Sequence, residues 1–333
     1  MKQRTIKGTR VGAIGLGCMG MSWAYGFADT ETSLRVLNRA LELGVNHWDT
    51  ADLYGAGDNE KLIAMALKGN RDKVFLATKF GNVTDRSMTS HQDLVAQNAG
   101  WIVDGTPAYA RKSIEKSLAA LETDHVDLYY LHRVDSRTPI EETVGEMARF
   151  VAEGKTKAIG LSEVTAETLR RAHAVHPIAA VQNEASLWTR DSIDNVLAAC
   201  KELGIAFVPY SPLGRGFLTG AIKSIDDLAE DDWRRDNPRF QGENFEKNIE
   251  LVRVVERVAS ARESTAAQVA LAWVLALGDH VCPIPGTRKV KYLEENVRAV
   301  DLELTTAELD ELNCLSQAAG ARYPEAAMQF TLR

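Results

Sequence analysis

The chain has 333 residues, 45% of them hydrophobic and 26% charged, ordinary globular values that exclude long disordered or low-complexity tracts. Its net charge of −7 argues against a broad nucleic-acid or anionic-membrane surface, so any anionic ligand must meet a local basic cluster. No run approaches the ~18 consecutive apolar residues of a membrane span.

In chain order, short β-like runs alternate with amphipathic helical runs. After an N-terminal stretch, AIGLGC (13–18) reads as a strand and 30–44 as a helix stopped by Gly44. VNHWDTA (45–51) leads to a helix near 59–69, and KVFLATKF (73–80) to a helix over 107–123 with Pro107 in its first turn. DHVDLYYLH (124–132) precedes a helix at 139–154, and TKAIGLS (156–162) one at 166–175. IAAVQNE (178–184) is followed by a helix over 192–204, and IAFVPYS (205–211) by helices around 246–261 and 266–278. HVCPIPG (280–286) is the last strand, with helices at 291–300 and 306–317 after it.

Eight strand–helix units with no Pro/Gly/Ser linker or charge block between them predict an α/β fold, a (β/α)8 TIM barrel forming one domain over 1–333. A doubly wound open sheet is the alternative, because alternation alone does not show closure. Two connections, 81–106 and 212–245, exceed plain β–α turns, and the last 21 residues, 313–333, form a tail. Long loops of this kind are usually lids or binding loops, and in a barrel both would lie at the C-terminal face of the strands.

The opening MKQRTIKGTR has no apolar leader run. Cys18, Cys200, Cys282 and Cys314 make no C-x-x-C pair. Unpaired thiols in a reducing compartment are expected, with the cytoplasm as location. Gly15, Gly17 and Gly20 spell G-x-G-x-x-G, a dinucleotide fingerprint that requires a helix starting inside it and an acid about 20 residues on. MSWAYGFADT follows instead, with another glycine and a new helix cap at Asp29 or Thr30, so a tight turn at the barrel mouth is the preferred reading.

The last residues of the strands gather the chemistry: Asp49, Lys79, His132, Ser162, Gln182 with Asn183, Tyr210 with Ser211, and Gly286. Singly, each has a plain reading: a solvated lysine, a satisfied histidine, an aspartate in a turn. Together they converge on one mouth, because neighbouring parallel strands lie about 4.8 Å apart. Asp49 and Lys79 would sit on adjacent strands and pair, with His132 beside Lys79.

The stretches WDTADLYG (48–55), LATKFG (76–81), DLYYLHR (127–133), GLSE (160–163), VQNEASL (181–187), VPYSPLGRGFLTG (208–220) and PIPGTRKVKYLEEN (283–296) carry a resemblance. The chain resembles an aldo-keto reductase from about Arg4 to Val300. GLGCMGMS (15–22) is similar to a bacterial branch that includes pyridoxal reductases and other broad-range NADPH-dependent members. The resemblance implies that Tyr54 is the general acid, with Asp49, Lys79 and His132 completing a tetrad. The chemistry agrees, since hydride reduction of a carbonyl makes an alkoxide that must receive a proton. A phenol with an ordinary pKa near 10 ionises more easily beside a cation such as Lys79, which Asp49 would hold in place.

The same resemblance places Tyr210 against the nicotinamide ring, and Ser162 and Gln182 at its carboxamide. It puts Ser211, Leu213, Arg215 and Gly216 along the pyrophosphate, Glu295 and Asn296 at the adenine, and Gly17, Cys18 and Met19 near the cofactor. Gly286 and Thr287 let the backbone approach it. Glu163 stands where the family usually carries asparagine, and an ionised carboxylate cannot donate a hydrogen bond. Arg288, Lys289 and Lys291 set three cations within four residues, suited to an adenosine 2′-phosphate and so to NADPH rather than NADH. Trp23 and Trp101, with Tyr25 and Trp188, are candidates for an apolar pocket wall around a small carbonyl or alcohol substrate.

Two other readings compete. His47, Asp49 and Asp52 suggest a metal-dependent barrel hydrolase, because positions 47 and 49 share one face of a strand, although no further metal-ligand pattern supports it and no metal is expected. A non-catalytic nicotinamide-binding sensor or regulatory subunit is the other.

Overall fold

In FLATKF, residues 75 and 77 pack into one hydrophobic cluster and residues 76 and 80 into another, the period-two alternation of a strand buried on both faces. The same split recurs along the chain and organises the whole molecule. The structure, a computed structural model, describes residues 1–26 and 28–331. Its strands are β1 (Gln3–Ile6), β2 (Thr9–Gly12), β3 (Leu16–Gly17), β4 (His47–Asp49), β5 (Phe75–Phe80), β6 (Leu128–Leu131), β7 (Ile159–Ser162), β8 (Ile178–Gln182) and β9 (Ala206–Phe207).

Strands β3 to β9 pair in sequence order, all parallel, in one seven-stranded sheet. The eighth strand position, 281–286, closes it. Val281 bridges Phe207 and Gly286 bridges Gly17, both in parallel sense. Along this seam Cys282 N donates to Phe207 O (2.8 Å), Ile284 N to Pro209 O (3.1 Å) and Gly15 N to Pro283 O (2.9 Å). Pro283 and Pro285 have no N–H to give, so the expected strand is reduced to isolated bridges, yet the sheet is a closed barrel.

Inside the barrel lie Phe75, Ala77, Leu128, Tyr130, Ala158, Ala180, Ala206, Val208, Cys282 and Ile284. Trp48, Leu76, Phe80, Tyr129, Leu131, Leu161, Val181 and Phe207 face the helices in the larger outer cluster. The helices form close to where the alternation predicts them, and several starts are capped: Asp29 accepts from Thr32 N (2.7 Å), Thr106 from Tyr109 N (3.3 Å), and Thr265–Gln268 makes a reciprocal capping box.

The stretch before residue 13, left without an assignment from sequence, is an antiparallel hairpin of β1 and β2. Lys7 (φ 49°) and Gly8 (φ 79°) make its two-residue turn, the positive-φ pair a tight hairpin needs. Its Ile6 and Val11 enter the barrel-interior cluster, so the hairpin plugs one end. The helix expected over 192–204 is two pieces, Asp191–Asn195 and Leu197–Leu203. The 81–106 connection holds a short helix, Gln92–Ala96, and the 212–245 connection 3₁₀ turns up to residue 240, with the helix Gly242–Ala261 starting four residues before the expected 246. Among the described residues no helix is long and apolar enough to cross a membrane.

Candidate active site

The inward columns end in polar groups. Residues 75 and 77 are followed by Lys79, 128 and 130 by His132, 158 and 160 by Ser162, 180 by Gln182, and 206 and 208 by Tyr210. Asp49 tops the column above His47, opposite in parity to the outward Trp48. The side chains predicted at the strand ends therefore share one end of the barrel.

Lys79 is fully buried and its ammonium donates to Asp49 Oδ1, to Thr50 O (2.8 Å) and to Tyr54 Oη (3.5 Å). Asp49 accepts a second bond, from Gln182 Nε2 across the barrel (2.7 Å). Burial is the largest single influence on Lys79 and works against its charge, but Asp49 and Tyr54 together outweigh it and the ammonium titrates above the ordinary lysine range. Burial also pushes the Tyr54 phenol up, further than Lys79 draws it down. Tyr54 is thus held in its protonated form, the form that gives a proton away.

Tyr54 is delivered by its turn. Tyr54 N bonds Ala51 O (3.2 Å), and Gly55 (φ 60°), Ala56 (φ 53°) and Gly57 (φ 99°) all take left-handed backbone, which reverses the chain within one turn. Trp23 stacks on the Tyr54 ring at 5.9 Å, and His132 meets it edge-on at 5.9 Å. Burial, then Arg133, then Lys79 depress the His132 pKa well below its usual value, so the imidazole is neutral; its Nδ1 has no partner among the described residues.

Around this centre, Ser162 Oγ accepts from Arg133 Nη1 (3.4 Å), and the Tyr210 hydroxyl donates to Glu163 Oε1 (2.9 Å). Ser211 (φ 48°), Gly214 (φ 56°), Arg215 (φ 60°) and Gly216 (φ 92°) put a run of left-handed residues after β9, with Leu213 accepting from Gly216 N and Leu218 N. Cys18 N bonds Asp49 O (2.9 Å), which sets the turn of Cys18 and Met19 beside the tetrad. Thr287, Arg288 and Lys289 follow the barrel seam, Arg288 donating to Gly26 O (3.1 Å). Glu295 and the buried Asn296 lie on the helix Val290–Arg298 that begins there.

The family model for the Aldo/keto reductase family matches residues 13–317. The chain belongs to the aldo/keto reductase family. It is 44% identical over 333 residues to the aldo-keto reductase yakc of Schizosaccharomyces pombe, named with NADP(+), covering 97% of this chain and 95% of the relative. It is 43% identical over 322 residues to a probable aldo-keto reductase 1 of Glycine max, covering 95% and 90%. Among solved structures it resembles the glycerol dehydrogenase of Gluconobacter oxydans (TM-score 0.82, 29% identity, 93% and 94% covered). It also resembles an aldo-keto reductase from Klebsiella pneumoniae in complex with NADPH (TM-score 0.70, 26% identity, 94% and 95% covered).

In this reductase the G-x-G-x-x-G sequence has a packing role. A Cβ on Gly15 would lie 2.9 Å from His47 Nδ1, and one on Gly17 2.8 Å from Ile284 O. Both glycines therefore admit the closing strand, and residues Met19–Met21 after them form only a 3₁₀ turn. His47, Asp49 and Asp52 do not form a chelating set: Asp49 is taken by Lys79 and Gln182, and both His47 nitrogens are buried without partners. Among the described residues the group with metal-like spacing is instead His91, Asp104 and Asp135. Their carboxylates already accept from Thr89, Ser90, Thr106, Gly105 and Thr138, which ties the 81–106 loop together.

Two residues, Arg133 and Asn59, escaped the sequence reading, and two candidates, Arg215 and Trp101, bond to partners it did not foresee. Arg133 is buried beside His132, donating to the His132 carbonyl (2.8 Å) as well as to Ser162; its signal was the HR pair in DLYYLHR. Asn59 clamps the 18–22 turn through Cys18 O (2.9 Å) and Ser22 Oγ (2.7 Å). Arg215, expected along a pyrophosphate, spends its guanidinium on Glu184 (3.0 Å) and Arg322 O (2.8 Å). Trp101, a candidate pocket wall, donates to Asn82 Oδ1 (2.9 Å) and stacks on Phe330 at 5.0 Å.

Proposed function

We propose that this reductase converts aldehydes or ketones to alcohols with NADPH, and alcohols back with NADP, using Tyr54 as the proton donor. The observation that carries the reading is the buried Asp49–Lys79–Tyr54 chain ending beside a neutral His132 at the barrel mouth. The bound nicotinamide would supply the hydride. Ser162 and Gln182 are suited to its carboxamide, the Tyr210 ring to its face, and Arg288, Lys289 and Lys291 to a 2′-phosphate; amide, hydroxyl, aromatic and cation match the parts of that group.

The remaining steps belong to the chain. Tyr54 gives its proton to the carbonyl oxygen as negative charge builds there, and Lys79 stabilises the phenolate left behind. Asp49 keeps the ammonium charged and aimed. His132, uncharged, orients the carbonyl oxygen without competing as an acid. In the oxidising direction the same phenolate takes the alcohol proton.

Purified protein, NADPH and a panel of carbonyls, followed at the cofactor absorbance, test this. Tyr54→Phe should cost about 10²–10⁴ in kcat while NADPH still binds by fluorescence titration. Full activity in that variant would remove Tyr54 from the mechanism, and tight NADPH binding with no turnover on any carbonyl would favour the sensor reading.

A further inference from the structure

Glu163 is fully buried in left-handed backbone (φ 54°) and its carboxylate is crowded with donors. Arg322, from the C-terminal tail, grips it with both arms, Nη1 to Oε1 at 3.1 Å and Nη2 to Oε2 at 2.5 Å. The Tyr210 hydroxyl (2.9 Å) and Glu184 N (3.1 Å) complete the shell. Arg322 also lies 3.7 Å from Glu184, whose Oε2 accepts from Arg215 (3.0 Å). Two acids and two arginines thus balance, each of the four side chains almost fully buried.

The tail backbone is held too. Arg322 O accepts from Arg215 (2.8 Å) and Asn237 (3.0 Å), and Asn248 bonds Ala319 in both directions (3.0 and 2.8 Å). The next residue, Tyr323, meets the Tyr210 hydroxyl at 3.1 Å and lies 4.3 Å from the Arg215 guanidinium. Further on, Phe330 stacks on Trp101 of the 81–106 loop. The tail therefore runs from the ends of β7 and β8 to the opposite long loop.

We propose that Glu163 and Arg322 form a positioning latch, which seats the tail across the barrel mouth so that Tyr323 and the residues after it wall the carbonyl-binding space. The proposal rests on reading that mouth as the carbonyl site. An exposed ion pair would do little. A buried one makes tail seating nearly all-or-none, because separating the partners strands a charge away from water. It also accounts for a carboxylate at 163, since an asparagine there would leave two buried arginines, Arg215 and Arg322, sharing Glu184 as their counter-charge. Neither residue touches Lys79 or Asp49, so the latch acts on substrate capture rather than on proton transfer.

The test compares Glu163→Gln, Arg322→Leu, the double variant and Arg322→Lys in the full chain, by hydrogen–deuterium exchange over 318–331 and by steady-state kinetics. The double variant removes both charges together, which guards against misfolding from one stranded charge. Faster exchange of the tail is expected in the first three, with carbonyl KM raised about tenfold or more and kcat changed less than about threefold. Arg322→Lys, which keeps the charge and loses the fork, should fall between these and the parent. Parent-like exchange in the double variant overturns the latch, and so does faster exchange with KM unmoved. Failure of the parent to reduce any carbonyl would sink the reductase reading, while exchange alone would still decide the latch.

Discussion

Replacing Lys79 by methionine removes the ammonium that bonds both Asp49 and Tyr54. Asp49, 2% exposed, would keep the Gln182 bond at 2.7 Å but lose its counter-charge. A buried ion stranded in this way costs about 3–5 kcal/mol. At about 2–4 °C per kcal/mol the melting temperature should fall by on the order of 10 °C. Tyr54 would lose its neighbouring ammonium and, with it, stabilisation of the phenolate, so kcat should drop by about 10²–10⁴. The double variant Asp49→Asn/Lys79→Met separates the two effects. With neither charge left in the barrel its stability should return towards the parent's, while reduction stays lost. Calorimetry and cofactor-linked turnover on the same preparations make the measurement. Lys79→Met that melts with the parent and keeps more than about a tenth of its kcat would refute the argument.

Other outcomes follow from the same geometry. Because Tyr54 titrates above its ordinary range, reduction should be level through neutral pH and decline only in strongly alkaline solution, whereas alcohol oxidation, which needs the phenolate, should rise with pH. A pH–rate profile of kcat in each direction checks the sign. Burial lowers His47 from 6.5 to about 4, so the unfolded chain takes up the proton first as pH falls. Stability should be full above pH 6.5 and decrease down to about pH 4, a window worth about 3 kcal/mol at 1.4 kcal/mol per pH unit. Urea unfolding across that range should show a shallower slope in His47→Leu than in the parent, the remainder coming from His132, whose pKa burial also depresses. A Cβ on Gly160 would lie 2.5 Å from the Tyr130 ring and 2.8 Å from Ala180 O, so Gly160→Ala should cost about 1–3 kcal/mol or more by overpacking, read as a lower denaturation midpoint.

Much of this molecule was legible because strands have a period of two. Once the helix-facing residues Leu76, Tyr129, Leu161 and Phe207 are read as outward, parity turns Lys79, His132, Ser162 and Tyr210 to the barrel interior. Lys79 and Ser162 are the last inward positions of β5 and β7, and His132 and Tyr210 continue the same parity just past β6 and β9, so the strand-end candidates needed only local pattern and order along the chain. The N-terminal hairpin did not stand out in the sequence, because four-residue strands (Gln3–Ile6 and Thr9–Gly12) are too short for alternation to show.

What the chain itself determined, then, is the succession of elements and the parity of their side chains, because both depend on residues close in sequence. Closure, charge balance and tail seating depend on contacts made at long range, and only the tertiary structure decided them. Gly15 and Gly17 became packing glycines because Ile284 arrives beside them. Arg215 turned inward because Glu184 and the tail carbonyl of Arg322 lie within its reach. Glu163, out of place by motif, is neutralised by an arginine 159 residues away, a partner that no local spacing announces.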